Sequence, residues 1–369
     1  QNPSQNPSQN QSVVPVALQR RKKRDRMKET LSYDDVLLEP QYSDISSRSE
    51  IDISVDMGAH LKLEIPIISS PMDTVTEGSM AMEMNKLGGL GILHRYNSIE
   101  RQAEMVKEVK RKNGTLAVVG AAVGVTGDYL ERATALLDAG CRVLCVDVAH
   151  GHHENVRKAL QVLRGSFGEH VHIMAGNVAT LEGFNALADW GADSVRCNIG
   201  GGSICSTRVQ TGHGLPGLHT IFECAKTDRD VPIIADGGIR SSGDIVKALA
   251  AGADVVMVGS LLAGTVETPG DLLHSYNNTV RKKVYRGMAS EDAQNDWRGH
   301  ASSLEGVTTT VDFKGPVRGV VDRLSRGVRS GLSYSGARSI AELQAKARFV
   351  RQSPASVTES RPHILGDKG

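Results

Sequence analysis

One phrase recurs along this chain: helix-forming residues, a turn containing glycine, then an apolar run rich in valine and isoleucine. It reads KLGGLGILH at 86–94, DAGCRVLCVDVA at 138–149, DWGADSVRCNIG at 189–200 and AAGADVVMVGS at 250–260. Glycine just past a helix takes the left-handed conformation that closes it, and an unbroken apolar run suits a strand buried on both faces. Such phrases spell the units of a parallel sheet. Candidate strands are Ile65–Ser70, Gly89–Arg95, Ala117–Gly124, Arg142–Ala149, His172–Val178, Ser194–Gly201, Pro232–Gly238 and Val255–Ser260, with helical patterns such as Ile99–Lys112, Tyr129–Ala139 and Ser242–Ala251 between them. Eight strand–helix units argue for a single-domain (β/α)8 TIM barrel rather than an open doubly wound sheet.

The rest of the chain narrows the functional class. A net charge of +1 and 4% aromatic residues predict no nucleic-acid surface, neither a basic face nor a base-stacking platform. The five cysteines are odd in number and lack CxxC spacing, which fits a reducing compartment. With no membrane-spanning apolar run and no apolar core in the opening residues, a cytoplasmic protein is expected. QNPSQNPSQNQS and the basic run Arg20–Arg26 read as a disordered polar and basic tail over 1–29. The barrel is expected over 30–351 and a flexible C-terminal tail over 352–369.

In such a barrel, ligands meet the loops that follow the strands' C-terminal ends. Gly237, Gly238, Gly259 and Ser260 follow the seventh and eighth strands, where backbone N–H groups can converge on a phosphate; the same glycines also suit plain tight turns. Cys205 lies beyond the sixth strand in GGGSICSTR. There a thiol faces the pocket as a nucleophile, or packs as a small buried hydrophobe like the other four. Asp147 follows the fourth strand as a cofactor or ribose ligand, or as a helix cap. His150, His152 and His153 lack carboxylate or cysteine partners at ligand spacing, so no metal is expected on them. Glu291 follows Ser290, a position that also suits the first turn of a capped helix.

LSYDDVLLEP, PIISSPMDTVTE, AGNVAT, NIGGGSICSTR, ADGGIRSSGD and YRGMAS, in that order between Thr30 and Arg351, resemble the motifs of the IMP dehydrogenase and GMP reductase family of (β/α)8 barrels. The resemblance implies that Cys205 forms a covalent thioether at C2 of a purine nucleotide, with hydride passing between C2 and a nicotinamide. Thr207 assists the group that leaves or enters at C2. Ser203 and the loops carrying Gly237, Gly238, Gly259 and Ser260 hold the 5′-phosphate, and Asp236 the ribose. Ser70, Met72, Tyr285, Arg286, Gly287 and Met288 complete the substrate set. Asp147, Ala149, His150, Gly151 and Asn177 face the cofactor. The carbonyls of Gly200, Gly202 and Cys205 correspond to a potassium site, and a homotetramer is implied.

The two activities of the family need different proton chemistry. Glu291 is assigned to pair with Thr207 and pass a proton to a departing amine, as in the reductases. DWRGH stands where dehydrogenases carry an Arg-Tyr pair, and EGVTTTVDFKGPV is reductase-like. LGGLGILHRYNSIERQAEMV, GARSIAELQAKARFVRQ and ESRPH are closer to dehydrogenases, and His150 stands where reductases have Asn. The link from His94 to Thr115 leaves no room for the regulatory module pair of many dehydrogenases. The expected activity is NADPH-dependent reductive deamination of GMP to IMP and ammonia. The alternative is an IMP dehydrogenase using NAD, and a barrel that binds nucleotides without turnover is a third reading.

Overall fold

Valine- and isoleucine-rich runs cannot face water on either side, and here each becomes a strand of one closed barrel. The structure, a computed structural model, describes residues 27–275, 280–302 and 304–362. The barrel strands are β1 (Ile67–Ser69), β2 (Leu90–Leu93), β3 (Gly120–Val123), β4 (Val143–Asp147), β5 (His172–Val178), β6 (Ser194–Cys197), β7 (Ile233–Asp236) and β8 (Val255–Val258). All eight lie inside the ranges expected from sequence. Each pairs in parallel with the next, and β8 closes on β1 through Val256↔Ile67, Met257↔Ile68 and Val258↔Ser69. The fold is a (β/α)8 barrel.

The surrounding helices are α1 (Gly78–Lys86), α2 (Ile99–Asn113), α3 (Tyr129–Asp138), α4 (Glu154–Phe167), α5 (Leu181–Asp189), the short α6 (Thr207–Thr211), α7 (Gly217–Cys224), α8 (Ser242–Ala251) and, after an excursion, α10 (Val317–Tyr334). Their starts are set by local chemistry. Ser98 and Ser241 accept the N–H groups of Arg101 and Asp244, satisfying donors that have no partner inside the helix. One apolar shell packs the helices onto the strands. A second fills the barrel with Ile68, Leu90, Ile92, Met174, Ile234 and Met257. A hairpin pairing Val55–Asp56 with Lys62–Leu63 adds Met57 and Leu61 to this inner layer.

Between β8 and α10 the chain builds a small antiparallel sheet from β9 (Leu273–His274), β10 (Arg281–Arg286) and β11 (Thr308–Asp312), with α9 (Glu291–Arg298) between the last two. The expected loose C-terminal tail is corrected over its first part. Phe349–Arg351 pairs antiparallel with Val36–Leu38, Gln352 bonds the backbone of Asp34 and Asp35, and a short capped helix follows at Pro354–Glu359. The chain is held there by backbone pairing that composition does not reveal. Residues 363–369 and the polar and basic segment 1–26 lie outside the described residues. Among the described residues, no helix is long and apolar enough to cross a membrane.

Candidate active site

The strand ends and the excursion enclose a cavity of about 430 Å³ lined from seven of the eight strand-following loops' neighbourhood, including those after β1, β4, β6, β7 and β8. Its reactive edge is the loop after β6. Gly200 turns with φ 79°, and a Cβ on Gly201 would fall against the Asn198 amide, so glycine at both positions suits the tight fold of the loop. This brings out Cys205, the exposed one of the five cysteines, which are all free.

The Cys205 thiol lies 3.1 Å from Thr207 Oγ1, and the Thr207 hydroxyl donates to Glu305 Oε2 at 2.8 Å. Thiol, hydroxyl and carboxylate thus form one directed line along which a proton can move. Backbone bonds hold it in register: Ser206 N–H donates to the Glu305 carbonyl at 3.0 Å, and Val307 N–H to the Ile204 carbonyl at 3.1 Å. The expected partner of Thr207 was Glu291, and the geometry corrects this. Glu291 opens α9 beneath its Ser290 cap, exposed and outside the cavity lining.

At the opposite end, Ser203, Gly237, Gly238, Gly259, Ser260 and Tyr285 meet. Gly237 and Gly238 have φ 82° and 73°, a conformation that directs backbone toward the cavity at no side-chain cost. A Cβ on Gly259 would fall 3.0 Å from Met72 Sδ and 3.1 Å from Tyr285 Oη, so glycine there admits both side chains. Burial pushes the Tyr285 phenol up to about 12, against the pull of its bond with Ser203, so it remains a neutral donor. Ser70, Gly287 and Met288 also line the cavity.

The floor is polar. Arg196 on β6, only 6% exposed, donates to Asp147 Oδ1 at 2.6 Å and to Asp236 Oδ2 at 2.9 Å, and Asn177 Nδ2 adds a bond to the same Asp236 oxygen at 2.9 Å. Burial opposes the arginine's charge, but the neighbouring Cys145 sulfur and the two carboxylates overcome it and hold its pKa well above the ordinary value. One guanidinium therefore fixes two carboxylates that the sequence assigns to different ligands.

Of the remaining expected residues, Asp147, Ala149 and Asn177 line the cavity, as do Gly200 and Gly202. His150 and Gly151 do not; Gly151 supports Asn177 from behind, its N–H on the Asn177 carbonyl at 2.6 Å. Burial and the nearby His152, His153 and His213 lower the His150 pKa. No cluster of metal ligands occurs among the described residues. Arg286 is also turned away from the cavity, its guanidinium committed to Asp73 and Asp296. Sequence reasoning missed Arg196, Arg95, Tyr96, Gln294, Arg298 and Glu305. Arg196 carried a signal, a charged residue inside the otherwise apolar strand SVRC; Glu305 carried none beyond its place in a family-like segment.

A family model for the IMP dehydrogenase / GMP reductase domain matches residues 30–363. An inosine-5′-monophosphate dehydrogenase of Nitrosopumilus maritimus is 36% identical, covering 91% of this chain and 98% of the relative. A GMP reductase of Leishmania major is 34% identical over 91% and 97%. The solved GMP reductase of Trypanosoma brucei, in complex with guanosine 5′-monophosphate, superimposes with a TM-score of 0.86 at 32% identity, covering 92% of this chain and 99% of that one. With the barrel, the glycine loop and the exposed Cys205 in place, these likenesses establish that the chain belongs to the IMP dehydrogenase / GMP reductase family of oxidoreductases acting on purine nucleotides.

Proposed function

We propose that this chain is a GMP reductase, converting GMP to IMP and ammonia with NADPH as reductant. The observation that carries the reading is the line from Cys205 through Thr207 to Glu305, with separations of 3.1 and 2.8 Å. The loops around Ser203, Gly237, Gly259 and Tyr285 would hold the phosphate, and Asp236 the ribose. Cys205 Sγ then attacks C2, forming the S–C bond, and its proton passes through Thr207 to Glu305. Glu305 returns a proton through Thr207 to the 2-amino group, which leaves as ammonia. NADPH, when bound, supplies a hydride to C2. Cys205 then departs as thiolate and IMP is released.

Two features of the cavity fit a nicotinamide dinucleotide. Arg95 lines the cavity with its Nε 3.9 Å from Asp147 Oδ2 and in no hydrogen bond, and Asp147, Ala149 and Asn177 line the adjoining wall. The proposal also includes potassium on the carbonyls of Gly200, Gly202 and Cys205, oxygen donors of the kind this ion takes, and a homotetramer. The Gly202 carbonyl already accepts the Cys205 N–H at 3.1 Å, which leaves it one lone pair for the ion.

The second reading, IMP dehydrogenase with NAD, is favoured by the name of the Nitrosopumilus relative. Assays in both directions separate the two. The chain should oxidise NADPH with GMP and release ammonia, and Glu305→Gln should lower that rate by about 10²–10⁴-fold, while Glu291→Gln leaves it unchanged. XMP formation from IMP and NAD at a comparable or greater rate would replace this assignment with the second.

A further inference from the structure

The segment that carries Glu305 leaves the small sheet at Arg286 and rejoins it at Thr308, and these two residues are cross-strand partners. The described residues between them, 287–302 and 304–307, are therefore positioned by what they touch on the barrel loops. One anchor is the backbone pairing with the Cys205 loop described above. The others lie at the far end of α9.

Arg286 donates from Nε and Nη2 to Asp73 Oδ2 at 3.0 and 2.6 Å, and from Nη1 to Asp296 at 2.6 Å. Its own N–H donates to Thr74 Oγ1 at 3.2 Å. Asp73 and Thr74 belong to the loop after β1, and Asp296 to α9. One residue along, the Trp297 ring stacks on Tyr96 from the loop after β2, with centroids 4.2 Å apart and planes 11° from parallel. Arg95 lies over the Tyr96 and Trp297 rings, and Arg298 over Trp297. The same helix supplies Gln294 and Arg298 to the cavity wall, and the segment between it and β11 supplies Glu305.

We infer that Arg286 and the Tyr96–Trp297 stack are positioning elements that clamp α9 onto the loops after β1 and β2, and so hold the wall bearing Gln294, Arg298 and Glu305 against Cys205. An arginine is needed because its planar fork offers donors to two carboxylates at once, which the single ammonium of lysine cannot reproduce. The two ion pairs are unequal. Asp73 is 11% exposed and Asp296 68%, so the inner pair is shielded from salt and the outer is not. The clamp is fixed on the barrel side and releasable on the helix side.

The inference concerns the reaction proposed above, and its test is built to fail separately. The chain has two tryptophans, Trp190 and Trp297, so Trp190→Phe leaves Trp297 fluorescence as a reporter of the stack. In that background Arg286→Lys, Asp296→Ala and Tyr96→Leu are compared for acrylamide quenching, for the alkylation rate of Cys205 by iodoacetamide, for melting temperature, and for kinetics with whichever purine nucleotide the parent turns over. Each variant should unshield Trp297, speed Cys205 alkylation, and lower kcat by about tenfold, the scale of a small misplacement of reacting groups. KM for the nucleotide should change less than kcat, since Ser203, Asp236 and Gly237 lie outside the clamped segment. Asp296→Glu should restore all three. Should Arg286→Lys fail to fold, the other two variants decide. Unshielding of Trp297 with kcat and alkylation unchanged would overturn the clamp, as would loss of kcat with Trp297 still shielded. Lack of turnover with both GMP and IMP would defeat the functional reading alone, and the clamp would then stand or fall on the quenching and alkylation rates.

Discussion

Inside the barrel, Ile68, Leu90, Ile92, Met174 and Ile234 form a layer of carbon against carbon, whereas at the C-terminal strand ends a buried guanidinium sits between two carboxylates. The lower layer is nonspecific in chemistry and demanding in shape, since close packing leaves no room for altered volume. The upper layer is the reverse. Burying Arg196 is tolerable only because Asp147 and Asp236 compensate its charge, and the same pairing fixes both carboxylates where ligands must meet them. Stability and chemistry are thus separated along one set of strands.

Breaking the upper layer should do the greater damage. Arg196→Met leaves Asp147 and Asp236 confined without their cation, and should cost about 3–5 kcal/mol and abolish turnover together. Denaturant unfolding and a steady-state assay on the same preparation check this; a stable variant that retains turnover would show that the carboxylates need no common partner. Leu90→Ala in the lower layer should cost about 2–5 kcal/mol through the cavity it leaves, with kcat below the melting transition unchanged. A loss of kcat there would mean that the two layers are mechanically coupled.

The smallest effect sharpens the comparison at the lower end. Asp254 accepts the Ile233 N–H at 2.8 Å, and burial pushes its carboxyl up to about 6, with Asp230 adding to the rise. Because the folded-state pKa exceeds the unfolded one, this contribution to stability is full below the ordinary carboxyl value of 3.8 and is lost as pH rises through about 6. Asp254→Asn keeps an acceptor for Ile233 and removes the titration. It should raise stability at pH 7 by on the order of 1–3 kcal/mol and flatten the fall between pH 4 and pH 6 in a melting series. An unchanged pH profile would assign that slope to other groups.

The strand positions were legible because the signal is local: an apolar run after a glycine turn specifies a buried strand wherever it occurs. Cys205 was legible for the same reason, as a thiol on a loop beyond a strand's end. Glu291 shows the limit. Its plainest local reading, the first turn of a capped helix, is what the structure contains, while the partner of Thr207 comes from a residue 98 positions away. Arg286 likewise sits in a motif that suggests substrate contact, yet its fork is committed to a carboxylate 213 residues distant.

The tripeptide Gly-Ala-Asp occurs twice, at 191–193 and 252–254, each time just before a barrel strand. By itself the sequence determined the shared turn and strand; barrel closure then lets each aspartate accept an N–H near the start of a neighbouring strand, from Ile173 in one case and Ile233 in the other. Only the tertiary structure decided what each carboxylate is buried beside. Arg164 reaches Asp193 at 2.5 Å from α4, whereas the carboxylate brought toward Asp254 is that of Asp230, so burial drives one of two identical phrases toward neutrality. Local geometry follows from which residues are adjacent in the chain, but the energy of a buried charge depends on which residues barrel closure places beside it.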